Sequence, residues 1–356
     1  MKLAALAIAG SLALAACASD EDTSGSGGSA SSGGSEDGPK IGLAYDTGGR
    51  GDKSFNDSAY AGVEAAIEAN GGSVQEVSPN SDASDRADLL TQLADQGFNP
   101  IIAVGFAYGD VIGDVAQQYP DVDFAIVDST GVDVADNVTG LQFAANQGSF
   151  LGGVAAATKS ETGHVGFVGG VETPLIQAFE AGFVAGAQTV KPDIIIDRQY
   201  ISPAGDFSGF NDPARGQIVA QGMFDAGADI VYAAAGGSGI GVFQAAAASG
   251  GRAIGVDSDQ YETVGDASLQ AVIMTSVLKR VDNAVEAYIG TFVDGSVEGG
   301  TDVVNDLSLL RRVHRRHPVD DRRLHPADRR RRDHRPGDPD RLTSGRLQQQ
   351  DDGPGR

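Results

Sequence analysis

Cysteine is almost absent from this chain: Cys17 is the only one in 356 residues. A disulfide within the chain is therefore excluded. Tryptophan is missing altogether, and His164 is the only histidine before Arg311. With no cysteine after Cys17 and no G-x-S-x-G elbow beside a plausible triad, nucleophilic catalysis has no obvious residues to use. The glycine-rich stretch 233–241, AAAGGSGIG, lacks the third glycine of G-x-G-x-x-G, because Val242 stands in its place. A dinucleotide-binding fold is thus poorly supported. Positive charge is scarce as well: 26 Lys and Arg face 49 Asp and Glu, a formal net charge of −23. That balance argues against nucleic-acid polymers as partners, since phosphate binding needs basic surface.

What is present is glycine, 50 residues of it, and 41% hydrophobic content, enough for real cores and for two domains. The N-terminus reads as a signal peptide over residues 1–16. A short positive start, Met1-Lys2, precedes an apolar run at 3–15 that is too short to span a membrane as a mature helix. It ends Leu14-Ala15-Ala16-Cys17, which resembles the bacterial lipobox. That resemblance implies cleavage before Cys17 and lipidation of its sulfur. Residues 17–39 then hold Ser, Gly, Asp and Glu with almost nothing apolar, the composition of a flexible tether.

From Lys40 strands and helices alternate. Candidate strands run at 41–46, 74–78, 100–105, 123–128, 138–143, 164–170, 194–200, 229–235, 252–257 and 272–278. Candidate helices run at 54–70, 82–96, 110–119, 147–160, 174–189, 212–225, 238–249 and 279–291. This alternation predicts parallel sheets covered on both faces, in two sets that divide near Phe143.

The organising stretch is 41–57, IGLAYDTGGRGDKSFND. An apolar strand delivers Asp46 into a glycine loop, and a helix follows with Ser54 as its expected cap. Ligands of open α/β sheets bind at that edge. Phe55, between Ser54 and Asn56 at the loop–helix junction, either covers a planar ligand or staples its own helix. Asp128 and Asp257 end two further strands at the same kind of edge; each alone is more often a turn or cap residue than a ligand contact.

After Leu310 the composition changes. The last 46 residues hold 14 Arg, 8 Asp, four of the five histidines and no Lys or Glu. The chain before them carries 12 basic and 41 acidic residues, a net of −29 against +6 for the tail. The tail, 311–356, has no helical or strand period and is expected to be disordered. It reads like GC-rich DNA translated out of frame. Arg311–His317, RRVHRRH, has one permitted codon choice that reads Gly-Gly-Phe-Ile-Asp-Asp when shifted by one base. A genuine basic tail that binds anionic polymers or lipid is the alternative.

Lipobox, tether and two α/β sets together resemble the substrate-binding lipoproteins of bacterial ABC importers. The stretch 46–57, GFNDPARG at 209–216, AAAGGSGIGVFQAA at 233–246, AIGVDSDQ at 253–260 and TSVLKRVDNAV at 275–285 are similar to the motifs of one family. They occur in the family's order. It is the basic membrane protein (PnrA-like) family, which includes purine-nucleoside receptors.

The resemblance implies a type I periplasmic-binding-protein fold, two doubly wound parallel-sheet lobes with hinge crossovers. Lobe 1 would hold 40–143 with part of 258–290, and lobe 2 would hold 144–257 with part of 291–310. It also implies a ligand site made of Asp46, Phe55, Asn56, Asp128, Phe210 (Phe207 as fallback), Gly236, Asp257 and Lys279. Two Phe rings would sandwich a purine, Asp257 would take ribose hydroxyls, and Asp46 or Asp128 with Asn56 would read the base edge. Lys279 would balance the buried negative charge.

The implied partners are a nucleoside, the permease and ATPase of an importer, and the membrane through the lipid on Cys17; no cofactor or metal is implied. A sugar receptor or a signalling receptor on the same fold is the alternative reading, although a Phe pair without tryptophan suits a flat base better. A metal-assisted glycosidase is the reading from a different class. It is disfavoured because the three aspartates sit beside aromatics and a lysine rather than in a carboxylate cage.

Overall fold

A computed structural model describes residues 38–80 and 82–307. The expected signal peptide, Cys17, most of the tether and the Arg-rich tail lie outside the described residues. Among the described residues no helix is long and apolar enough to cross a membrane.

The first lobe begins β1 (Lys40–Ala44), α1 (Phe55–Asn70), β2 (Ser73–Val77), α2 (Arg86–Asp95), β3 (Ile101–Ala103), α3 (Ile112–Gln118), β4 (Phe124–Val127) and β5 (Val138–Phe143). The second follows with α4 (Ala145–Lys159), β6 (His164–Val171), α5 (Pro174–Val190), β7 (Ile195–Ser202), α6 (Pro213–Asp225), β8 (Ile230–Ala234), α7 (Gly239–Ser249), β9 (Arg252–Asp257), α8 (Gln260–Thr263), α9 (Ala267–Gln270) and β10 (Ile273–Leu278). The chain then returns through α10 (Val281–Val293), which packs on α1, and β11 (Thr301–Asn305).

All pairings within the two sheets are parallel. The first sheet runs β2-β1-β3-β4-β5-β11 and the second β7-β6-β8-β9-β10. Both lobes therefore repeat one doubly wound order, and the first strand of each lies at the point where that order reverses. Ligands of such sheets bind at this point, beyond the carboxyl ends of the strands.

The central strands are apolar because both faces are covered. Ile41, Leu43 and Val104 pack beneath α1 and α10, while Ala44, Ile101 and Phe124 face Leu90, Leu93 and Ile112. In the second lobe Val165, Phe167 and Ile254 pack against Phe179 and Phe183, and Val168, Val231 and Ala253 against Val242 and Phe243.

The return of the chain corrects one sequence expectation. Part of 291–310 is expected in the second lobe, but β11 pairs with β5 from Thr301↔Thr139 to Asn305↔Phe143 and widens the first sheet to six strands. The region 258–290 is shared. Its residues up to Leu278 complete the second sheet, and α10 joins the first lobe. The chain thus crosses between lobes at Ala144 and again at Lys279–Arg280.

Candidate functional site

A cleft lies between the two lobes and is lined by residues of both. All eight residues expected at a ligand site, Asp46, Phe55, Asn56, Asp128, Phe210, Gly236, Asp257 and Lys279, line it. The strand ends explain why. Asp46 follows β1, Asp128 follows β4, Asp257 ends β9 and Lys279 follows β10, so four carboxyl ends deliver four charged groups to one space.

The loop before α1 is held differently from the expectation. Ser54 has no capping hydrogen bond to its helix; its Oγ donates instead to Asp257 Oδ2 in the other lobe, at 2.5 Å. Asp52 does the capping. It accepts from the backbone N–H groups of Ser54, Asn56 and Asp57 at 2.9, 2.8 and 3.1 Å. Burial pushes the Asp52 carboxyl up to about 6, against the pull of those three donors.

Asn56 turns its Oδ1 to the backbone N–H of Asp46 at 3.0 Å. Its Nδ2 hydrogens are therefore what it has to offer a ligand. Asp46 is engaged as well: Oδ1 accepts from Thr47 N–H at 2.8 Å and from the Arg86 guanidinium at 3.2 Å, with both side chains buried. Burial raises its pKa, opposed by those two partners. Gly105 makes room for this carboxylate. A Cβ there would stand 2.5 Å from Asp46 Oδ2, and its φ of +109° suits glycine alone.

Lys279 and Asp128 are an ion pair with side chains 5% and 4% exposed. The expectation gave Lys279 a general balancing role, and the structure assigns it this particular partner. The bond uses Asp128 Oδ2, while Oδ1 is buried without a donor among the described residues. The same ammonium stands 4.5, 5.1 and 5.7 Å from the ring centres of Phe55, Phe143 and Phe179, distances at which ring faces attract a cation. Asp257 keeps one oxygen on Ser54, and burial raises its pKa while Lys279 and Ser54 lower it.

Aromatic rings enter from both sides. Phe55 comes from the first lobe and packs at the edge of its core. Phe210 comes from the second, its ring laid against Gly170, where a Cβ would meet it at 2.4 Å. The fallback, Phe207, is not a lining residue. It meets Phe106 of the first lobe at 5.8 Å between centroids and lies over Arg86 at 5.0 Å, closing one side of the cleft. Phe106, Phe179, Leu175, Ile176 and Asp52 also line the space and were missed from the sequence. Arg86 was missed too.

Residues 40–308 match the family model described as "ABC transporter substrate-binding protein PnrA-like". A "CD4+ T-cell-stimulating antigen" of Listeria innocua is 37% identical over 83% of this chain and 84% of its own length. The "ABC transporter nucleoside-binding protein BmpA" of Lactococcus lactis is 35% identical over 86% of this chain and 88% of its own. Among solved structures, an ABC transporter solute-binding protein from Aeropyrum pernix superposes with a TM-score of 0.67 at 30% identity, covering 76% of this chain and 74% of that one.

Proposed function

The chain belongs to the PnrA-like family of ABC transporter substrate-binding proteins, which are not enzymes, and on that premise we propose that it captures a nucleoside, a purine nucleoside by preference, between its lobes and delivers it to a membrane permease with its ATPase. One observation carries the ligand assignment. Phe55 and Phe210 enter one cleft from opposite lobes, and the same cleft is lined by Asp128, whose buried Oδ1 has no hydrogen-bond partner among the described residues. A buried acceptor left unpaired is costly, so the occupant must bring donors. It must also bring a flat apolar face for the rings.

A purine nucleoside supplies both. Its base offers a π-face and edge N–H groups, and its ribose offers hydroxyls. Stacking contributes about 1–3 kcal/mol per aromatic contact, and hydrogen bonds to charged groups about 1.5–3 kcal/mol. After the cost of association, affinity of about micromolar or better is expected. The Lactococcus relative described as nucleoside-binding supports this reading. A simple sugar has hydroxyls for the carboxylates but no flat base for the two rings.

The extracytoplasmic placement follows from the transport role, and lipidation of Cys17 would hold the protein at the membrane face. A homologous Pyrococcus abyssi protein is described as a lipoprotein.

The test is a thermal-shift screen of the full chain against nucleosides, free bases and sugars. A ligand at a hundred times its Kd adds about 2.7 kcal/mol of stability. Purine nucleosides should raise the melting temperature and sugars should not. A shift with sugars alone would replace the assignment.

A further inference from the structure

The loop that carries Phe55 and Asn56 is gripped by the second lobe at a point outside the cleft. Lys53 lies in the left-handed region, with φ 58°. Its carbonyl oxygen meets three side-chain donors from the segment after β9: Gln260 Nε2 at 3.0 Å, Ser258 Oγ at 3.2 Å and Thr263 Oγ1 at 3.3 Å. Lys53, Ser258, Gln260 and Thr263 are all absent from the cleft lining. A carbonyl oxygen has two lone pairs, so three donors saturate it.

Gln260 is set in advance. It is fully buried. Its Oε1 accepts from the Val256 N–H at 2.8 Å, and its own backbone N–H donates to Ser276 Oγ at 3.1 Å. Both bonds lie within the second lobe, so the side chain is fixed whether or not the lobes meet. Its Nε2 is then a buried donor whose protein partner belongs to the other lobe, and separation of the lobes takes that partner away. One residue along, the Ser54–Asp257 bond crosses the same boundary.

We propose that the Lys53 carbonyl is the catch, and Gln260, Ser258 and Thr263 the latch, of lobe closure. These are positioning residues. They set how long the closed form lasts, and hence how long the cleft holds its occupant, without touching it. Closure of two lobes is a hinge motion between a few discrete states. A contact made only in the closed state shifts that equilibrium and appears mainly in the dissociation rate. The affinity readout rests on the nucleoside reading above; the closure readout does not.

The test compares three full-length proteins: the natural chain, Ser258→Ala with Thr263→Val, and the hydroxyl-keeping exchange Ser258→Thr with Thr263→Ser. The first readout is amide hydrogen exchange without added nucleoside. Removing both hydroxyls should speed exchange about three- to tenfold in residues 51–58 of the first lobe as well as 256–263 of the second. The exchange variant should match the natural chain. The second readout is guanosine kinetics: the dissociation rate should rise by a similar factor while the association rate stays nearly constant.

Faster exchange confined to 256–263 would mean local damage in one lobe and would overturn the latch. So would an unchanged dissociation rate for bound guanosine. Gln260→Glu is the stronger variant, because it keeps the acceptor for Val256 and replaces the donor that faces Lys53. It must loosen 51–58 at least as much. If no nucleoside binds any of the proteins, the nucleoside reading falls, and hydrogen exchange alone decides the latch.

Discussion

Asp128 and Asp257 occupy the same place in opposite lobes. Each stands at the carboxyl end of the fourth strand of a doubly wound series, with φ of 67° and 65° respectively. Their roles have diverged. Asp128 is paired with Lys279 and keeps one oxygen unpaired, while Asp257 accepts from Ser54. A left-handed backbone accepts Asn more readily than other side chains. Asp128→Asn should therefore keep the turn, whereas Asp128→Val should lose the turn and the charge together. Urea denaturation of the two variants separates these effects.

The Lys279–Asp128 pair makes a second test. Taking away one member of a buried pair leaves an uncompensated charge and costs about 3–5 kcal/mol. Lys279→Ala should lose stability on that scale. Lys279→Met combined with Asp128→Asn should lose less, because the Asp128 charge is removed with its partner and only Asp257 loses a neighbouring cation. Equal losses in the single and the double variant would show that the lysine acts by packing against Phe55, Phe143 and Phe179 instead.

Gly105 offers a test of the geometry around Asp46. An alanine there adds backbone strain at φ +109° and drives a methyl toward the carboxylate, with the Cβ 2.5 Å from Oδ2. Gly105→Ala should destabilise the fold by about 1–3 kcal/mol and weaken ligand binding. A variant as stable and as tightly binding as the natural chain would remove the role given to this glycine.

Much of this was legible in the sequence. Ten strands could be read because parallel strands buried on both faces appear as short apolar runs, as in Ile41–Ala44 and Phe124–Val127. Polar residues at their ends marked the cleft edge. The eleventh strand, TDVVN, escaped because it lies at the edge of the sheet and half faces solvent, Val303 being 48% and Val304 58% exposed. Arg86 escaped because its partner Asp46 is 40 residues away and its helix shows no sign that one side chain turns inward. Asp52 was visible, but local sequence offered Ser54 as an equally good cap. Only the tertiary bond from Ser54 to Asp257 decides between them. Phe106 and Phe179 carry no local mark that separates them from core phenylalanines.

The acidity of Asp52 gives a pH dependence with a definite sign. Its carboxyl is raised to about 6 in the folded protein, against about 3.9 in an unfolded chain. Between those values the folded state binds more protons, so stability falls as pH rises through 6. Burial shifts Asp46 and Asp257 in the same direction. The ligand-free protein should be more stable at pH 5 than at pH 7, with about 1 kcal/mol of the difference from Asp52. Asp52→Asn, which retains an acceptor for the helix N–H groups, should flatten the slope. An unaltered slope in that variant would assign the effect to other groups.

The most direct measurement is a calorimetric titration of the full chain with guanosine, repeated on Phe55→Ala and Phe210→Ala. One nucleoside should bind per chain, and each truncation should cost about 1–3 kcal/mol, roughly 5- to 150-fold in Kd. Undiminished affinity in both variants would contradict the sandwich between the lobes. Heat with a sugar but none with any nucleoside would contradict the nucleoside assignment itself.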